Sequence, residues 1–420
     1  RVRCDNALMP RTIFRTATIA LPLVLLAGCS LLDSTFGRKP APQVPVAPPP
    51  PPQYAPPVAT GRFVIDPDHE DVVGVVQKTV VGKDDTFSDI ARRFNVGYEE
   101  MVRANPGVDP WLPGVDREVV VPTRFILPNA PRQGIVINLA SMRLWYFEPR
   151  KAKEPQVVHT YPIGIGRVGW ATPEGVTKVS RKMKDPTWRP SAAVRKEHAE
   201  NDDPVPAVVL PGPDNPLGNR ALYLGWPSYL VHGTNKPYGV GIRSSHGCIR
   251  LYPEDILQLF ELAPIGTPVR VVNQPYLFGW HDGKLYLQAY DVLEDDPRDF
   301  AKAPKKLLSK QLAARIQKEL KARGETIDWA AVSSIAHEPR GIPAPIAGGS
   351  ASVDTEVAAA AVVENRVPDG ATWDGVSGLP IDEKTFQDMF SDNEAEPAPA
   401  TNGTGGAAGS KAPAAKKPQG

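Results

Sequence analysis

Cysteine is scarce here: Cys4, Cys29 and Cys248 are all that 420 residues contain, so far apart that no CxxC metal or redox pair exists. Net charge is nearly absent as well. At +1, with no basic excess, the chain has no electrostatic footprint for nucleic acid, and no such partner is expected. Metal-ligand clusters are also missing. His232, His246 and Cys248 are the one trio that would suit an open zinc site. No further ligand cluster joins them, and neither metal nor cofactor is expected. The N-terminal apolar stretch, residues 19–26, is too short to span a bilayer. Proline and glycine, by contrast, are plentiful at 47 and 35 and gather towards the two ends, so less of the chain is expected to fold than its length suggests.

Met9 reads as the translation start. Arg11 and Arg15 form a basic region, residues 19–26 an apolar one, and Leu26-Ala27-Gly28-Cys29 a small-residue cleavage site. This pattern resembles the bacterial lipoprotein signal, in which the cysteine becomes the lipidated first residue. The alternative is a plain cleaved signal with an incidental cysteine. On the lipoprotein reading residues 1–28 are removed and Cys29 carries lipid, which anchors the protein in the periplasm, at the outer membrane. Cys248 is then the single free thiol, exported to a disulfide-permissive compartment where a lone thiol is an oxidation liability. Residues 29–78 read as linker. Within them Pro48-Pro49-Pro50-Pro51-Pro52 favours extended polyproline II, and residues 39–60 would reach about 70 Å at ~3.1 Å per residue, as a tether or a plain spacer.

Residues 79–123 form the first compact unit. Thr79-Val80-Val81 reads as a strand and Thr86-Phe87-Ser88-Asp89 as a capping box. The box opens a helix with Phe87, Ile90, Ala91 and Phe94 on one face. A second helix groups Tyr98, Met101 and Val102 before Asn105-Pro106 stops it, and Val119-Val120-Val121 is a closing strand. This β-α-α-β order resembles a LysM module, with Phe87 where that family usually has Leu. The resemblance implies binding of N-acetylglucosamine-containing glycan, peptidoglycan in bacteria.

Residues 134–274 form the second unit. Ile135-Val136-Ile137-Asn138-Leu139 and Met142-Arg143-Leu144-Trp145-Tyr146-Phe147 flank a turn at Ala140-Ser141, a hairpin. Short β-rich runs follow at 157–163, 205–210, 221–224, 229–231 and 268–272, with one helix at 253–262. Many short strands with Gly/Pro turns predict a mainly β domain, sandwich- or barrel-like. Beyond it, residues 275–335 contain a strand at 284–290 and a basic amphipathic helix at 305–323 carrying Leu307, Leu308, Leu312, Ile316 and Leu320. Residues 336–420, rich in Ala, Pro and Gly, are expected to be mostly disordered, with a short helix possible by pattern at 382–390.

The chemistry concentrates in His232-Gly233-Thr234 and Ser245-His246-Gly247-Cys248-Ile249-Arg250. Cysteine is a strong nucleophile as thiolate and needs a neighbouring imidazole or a helix N-terminus. His232 supplies the first and the helix after Arg250 the second. Gly247 permits a sharp turn that would aim the N–H groups of Gly247 and Cys248 at a substrate carbonyl. A third group should orient His232. No acidic residue lies near in sequence, and the Gly233 carbonyl is one candidate.

These residues resemble the YkuD-type L,D-transpeptidase motif, His-Gly followed by Ser-x-Gly-Cys-Ile/Val-Arg/Asn. Thr172-Pro173-Glu174-Gly175, Pro186-Thr187-Trp188-Arg189-Pro190 and residues 211–218 look like its Gram-negative branch. The resemblance implies that Cys248 is the nucleophile and His232 the proton acceptor and donor. Ser245, His246 and Arg250 would shape the site, and Arg243 and Arg250 would pair with the carboxylates of an anionic stem. It implies attack on the amide between the L-centre of diaminopimelate and the terminal D-Ala of a peptidoglycan tetrapeptide stem. A second stem, a lipoprotein lysine or water would then resolve the thioester, giving a 3→3 cross-link, protein anchoring or hydrolysis. Arg250 stands where some branches have Asn, which leaves the acceptor open. A rival of another class is a non-catalytic wall-binding scaffold. A papain-like peptidase fits poorly, because there Cys precedes His. His69, His159, His198, His281 and His337 have no constellation in the sequence and are read as ordinary.

Overall fold

A computed structural model describes residues 54–298, 300, 310–347, 352–371 and 373–376. The signal and Cys29, the polyproline run, Leu307, Leu308 and the short helix expected at 382–390 lie outside the described residues.

Two strands, β1 (Arg62–Ile65) and β2 (Val72–Gly74), fall inside the stretch expected to be linker, so the linker ends earlier than residue 78. The first compact unit follows as β3 (Gln77–Val80), α1 (Phe87–Arg93), α2 (Tyr98–Ala104) and β4 (Glu118–Val121), in the expected β-α-α-β order. Thr86 caps α1 reciprocally with Asp89: its N–H donates to the Asp89 carboxylate at 2.9 Å and its hydroxyl accepts from the Asp89 N–H at 3.4 Å. The next strand, β5 (Arg124–Ile126), pairs with β2.

The second unit begins with the hairpin β6 (Gly134–Asn138) and β7 (Arg143–Phe147), turned through Met142 at φ +47°. The chain continues as β8 (Gln156–Pro162), β9 (Ile165–Gly166), β10 (Gly175–Lys184), α3 (Ala192–Glu200), β11 (Arg220–Leu224) and β12 (Leu230–His232). It then forms β13 (Arg243–Ser245), β14 (Ile249–Arg250), α4 (Pro253–Leu262) and β15 (Pro268–Val272). Nine strands make one mainly antiparallel sheet, ordered β1-β8-β7-β6-β15-β10-β11-β12-β14, with β6–β15 and β12–β14 parallel. The run expected as a strand at 205–210 forms a single bridge, Val209 to Trp188. Proline at 204, 206 and 211 denies that run a ladder.

Both faces of β6 and β7 are buried, and alternation along them assigns each face a core. Ile135, Ile137, Leu144 and Tyr146 pack with Ile256, Leu259 and Phe260 of α4. Val136, Trp145 and Phe147 pack instead with Phe87, Ile90, Phe94 and Met101 of the first unit. The two units therefore share a core. Arg143 crosses the same boundary, fully buried, its guanidinium 2.8 and 3.0 Å from the carboxylate oxygens of Glu100.

The extension adds β16 (Tyr276–His281), β17 (Lys284–Ala289), α5 (Lys310–Arg323) and α6 (Trp329–His337), then β18 (Ala344–Pro345), α7 (Val353–Ala358) and β19 (Ala361–Val363). Leu312, Ile316 and Leu320 of α5 pack on Phe278, Trp280 and Leu285. Part of the region from 336 is ordered where disorder was expected. Among its described residues β18 pairs with β17, and β19 adds a parallel strand to the free edge of β3. Such two- and three-residue strands carry no period of their own; remote partners supply their ladder bonds.

Candidate active site

β12 and β14 run parallel, with Val231 opposite Ile249 and His232 opposite Arg250. Val231 and Ile249 are core residues, so alternation turns Leu230, His232, Cys248 and Arg250 to the other face. His232 and Cys248 thus become diagonal neighbours.

Gly233 holds the imidazole. The His232 Nδ1 lies 2.6 Å from the Gly233 carbonyl, which accepts, so Nδ1 carries the hydrogen and Nε2 keeps a lone pair. Gly233 is itself fixed, its N–H donating to Arg220 O at 3.2 Å while a Cβ there would meet Ile256 at 2.9 Å. Burial, helped by the charge of Arg250, pushes His232 down to about 3 against the Gly233 bond. It rests neutral, a base in waiting.

Cys248 is partly buried, and its thiol donates to the Ser228 carbonyl at 3.5 Å. Ser228 adopts φ +68°, a left-handed conformation rarely used by side-chain-bearing residues. Burial pushes the thiol up, while the Leu230 N–H and the Arg250 charge pull it back. The pair therefore rests as thiol and neutral imidazole, with no ion pair.

The turn before Cys248 is built around Ser245. Its hydroxyl donates to Cys248 O at 2.6 Å and accepts from the Gly247 N–H at 3.1 Å. That N–H, expected to face a substrate carbonyl, is therefore engaged within the turn. Gly247 has φ +93°, and a Cβ there would sit 3.0 Å from the Tyr229 ring. Thr172 buttresses the turn from behind, its hydroxyl donating to Gly247 O at 3.0 Å and accepting from Gly166 N–H at 3.3 Å. Replacing Thr172 with Val strands two buried backbone groups. It should cost about 1–3 kcal/mol in urea unfolding and slow Cys248 acylation.

Other expected site residues occupy different surroundings. His246 turns outward, 3.1 Å from Glu197 and edge-on to Trp170 at 4.9 Å, with the His198 ring 5.6 Å away and Arg167 beside it. Burial pushes His246 down to about 4. Arg167 also pairs with Glu197, so the segment carrying α3 is tied to the site. Arg243 pairs with Asp295 at 2.8 Å and donates to Gly166 O, while its Nη1 is buried with no hydrogen-bond partner among the described residues. Arg250 is half-buried, packed against Gly239 and bonded to Ser244 at 3.1 Å, a structural charge near the nucleophile. Among the described residues no three His, Cys, Asp or Glu are arranged to hold a metal ion. Among those residues, too, no helix is long and apolar enough to cross a membrane.

Thr172 belongs to Thr172-Pro173-Glu174-Gly175, whose sequence assigns it no role, and Ser228 has no sequence signal. His198, read as ordinary, acquires its neighbours through folding alone.

The two low histidine values fix a pH dependence. Between about 4 and the usual 6.5 the unfolded chain binds more protons than the folded one, so stability falls as pH drops below 6.5. Each histidine contributes a slope of up to ~1.4 kcal/mol per pH unit. Urea unfolding at a series of pH values should show that slope, reduced in His232→Gln.

Comparison with known proteins gives the family. A family model of the L,D-transpeptidase catalytic domain (YkuD) matches residues 132–271, and one of the LysM domain matches residues 79–122. The chain belongs to the L,D-transpeptidase family, in its Gram-negative form with a LysM domain ahead of the catalytic domain. "Probable L,D-transpeptidase ErfK/SrfK" of Salmonella typhimurium is 36% identical over 293 residues, covering 68% of this chain and 91% of that protein. "Probable L,D-transpeptidase YbiS" of Escherichia coli is 43% identical over 212 residues, 50% of this chain and 68% of that one. The solved catalytic domain of the E. faecium L,D-transpeptidase is 25% identical with a TM-score of 0.26, covering 34% of this chain and 100% of that one.

Proposed function

We propose that Cys248 attacks the amide between the L-centre of diaminopimelate and the terminal D-Ala of a tetrapeptide stem. The observation that carries this reading is the placement of His232, its Nδ1 tied to Gly233 at 2.6 Å, on the same sheet face as Cys248. As sulfur bonds to the carbonyl carbon, His232 Nε2 takes the thiol proton. It returns that proton to the amide nitrogen as the C–N bond breaks, and D-Ala departs as a free amine. The Cys248 N–H is the candidate oxyanion donor, since Ser245 occupies that of Gly247. Arg243, held 2.8 Å from Asp295, is the candidate partner for a stem carboxylate.

An amine then resolves the thioester, from a second stem or from a lipoprotein lysine. The LysM domain holds the glycan, and lipid on Cys29 anchors the enzyme in the periplasm, at the outer membrane; the Leu26-Ala27-Gly28-Cys29 signal supports that anchoring. Incubation with purified tetrapeptide muropeptides tests the reading. The expected products are D-Ala together with 3→3 dimers, or conjugates when a lysine-bearing lipoprotein is added. Tripeptides alone would make water the acceptor, and no D-Ala release would overturn the assignment.

A further inference from the structure

The first domain touches the catalytic loop at an unusually close point. Gly97, which precedes α2, and Gly241, which precedes β13 by two residues, lie backbone to backbone. A Cβ on Gly97 would sit 2.8 Å from Gly241 Cα, and one on Gly241 only 2.3 Å from Tyr98 N and 2.4 Å from Gly97 Cα. Gly241 also holds φ +85°, so glycine is required there on two counts. The N–H groups of Tyr98 and Glu99, donors that a helix leaves unpaired at its start, donate to Val240 O at 3.3 Å and Gly241 O at 3.1 Å. Glu100 closes the same turn. Its carboxylate accepts from Gly97 N–H at 2.7 Å and from buried Arg143 at 2.8 Å.

From Gly241 the backbone runs directly to the nucleophile. The Gly241 N–H donates to Ile163 O at 3.2 Å, Ile242 is buried in the core shared with the LysM domain, and β13 pairs with β9. Ser245 ends β13 and closes the turn over Gly247 and Cys248. Six residues separate Gly241 from Cys248, most of them held by a ladder or a hydrogen bond already described.

We infer that α2 of the LysM domain is a positioning element for the nucleophile loop: Gly97 and Glu100 seat Gly241 and, through β13, set the turn that presents Cys248. This inference rests on the reading of Cys248 as nucleophile. It gives the LysM domain a part in the chemical step that is separate from holding glycan, and that acts on substrates bearing no glycan at all.

The test uses the full chain and ertapenem, a glycan-free acylating agent, with the adduct followed by mass and the rate resolved into a first-order acylation constant and a half-saturating concentration. Gly97→Ala inserts a methyl group against Gly241, and Val119→Ala softens the LysM core away from that contact. Expected is a fall of about tenfold or more in the first-order constant for Gly97→Ala, with the half-saturating concentration unchanged. Val119→Ala, with a comparable loss of melting temperature, should acylate at the wild-type rate. A fold-only role would slow both alike or neither. If Gly97→Ala does not fold, Glu100→Gln is read by the same criteria. Wild-type acylation with an unchanged rate in the folded variant overturns this inference alone; a wild type that never forms the adduct removes the nucleophile reading and this inference with it.

Discussion

Replacing His232 with Gln will slow acylation of Cys248 by about 10³-fold at neutral pH, while leaving the fold intact. The reason lies in the resting protonation state. Burial holds the thiol up and the imidazole down, so the sulfur does not ionise by itself and depends on His232 Nε2 to remove its proton during attack. A positioned base of this kind contributes roughly 10²–10⁴-fold. The pH profile separates this account from simple misfolding. In His232→Gln the rate should climb nearly tenfold per pH unit until the thiol titrates, because hydroxide replaces the lost base. The wild-type rate should show no ionisation near 6.5, the usual histidine value, since His232 is already neutral there. Stopped-flow acylation from pH 5.5 to 9.5 reads both slopes.

Replacing Arg143 with Ala is the second large effect, and it falls on stability. The guanidinium is wholly buried, bonds both oxygens of Glu100, donates to Asn95 O at 3.0 Å and lies 4.0 Å over the Phe125 ring. Its loss leaves the Glu100 carboxylate buried at 4% exposure, with the Gly97 N–H still donating to it. Breaking a buried pair in this way costs about 3–5 kcal/mol. The urea midpoint should fall accordingly with little change in slope. The paired change Arg143→Met with Glu100→Met should recover much of that loss, because it removes both charges and refills the volume. Failure of the double variant to recover would assign the cost to the Asn95 and Phe125 contacts instead.

Much of this architecture was legible locally. The Thr86–Asp89 cap, the Ala140-Ser141 hairpin and the limits of α4 follow from short-range patterns that leave a mark in the sequence. His232 and Cys248 could be singled out as a chemical pair, and Gly233 as an orienting carbonyl, because glycine-flanked residues of reactive type stand close to one another. What escaped was non-local. β10 has a mostly polar, half-exposed face, so its alternation is faint. Ser228 serves through its carbonyl, which every residue has, and only its φ of +68° marks it. Thr172 and His198 gain their partners from segments some 50 to 75 residues away. The joint core of the LysM and catalytic domains was hidden for a related reason. The run Met142-Arg143-Leu144-Trp145-Tyr146-Phe147 announces burial on both faces without saying what covers the second. The LysM helices cover it. Likewise β19 has only three residues, and the edge of β3 rather than its own composition makes it a strand.

Cys248, with His232 as its base, is the residue expected to be acylated. Intact-mass analysis of the purified protein incubated with ertapenem tests it most directly, with Cys248→Ala run alongside. Expected is one stoichiometric adduct on the wild type, mapped by peptide digestion to Cys248 and absent from Cys248→Ala. A folded wild type that remains unmodified, or an adduct of equal yield on Cys248→Ala, would contradict it.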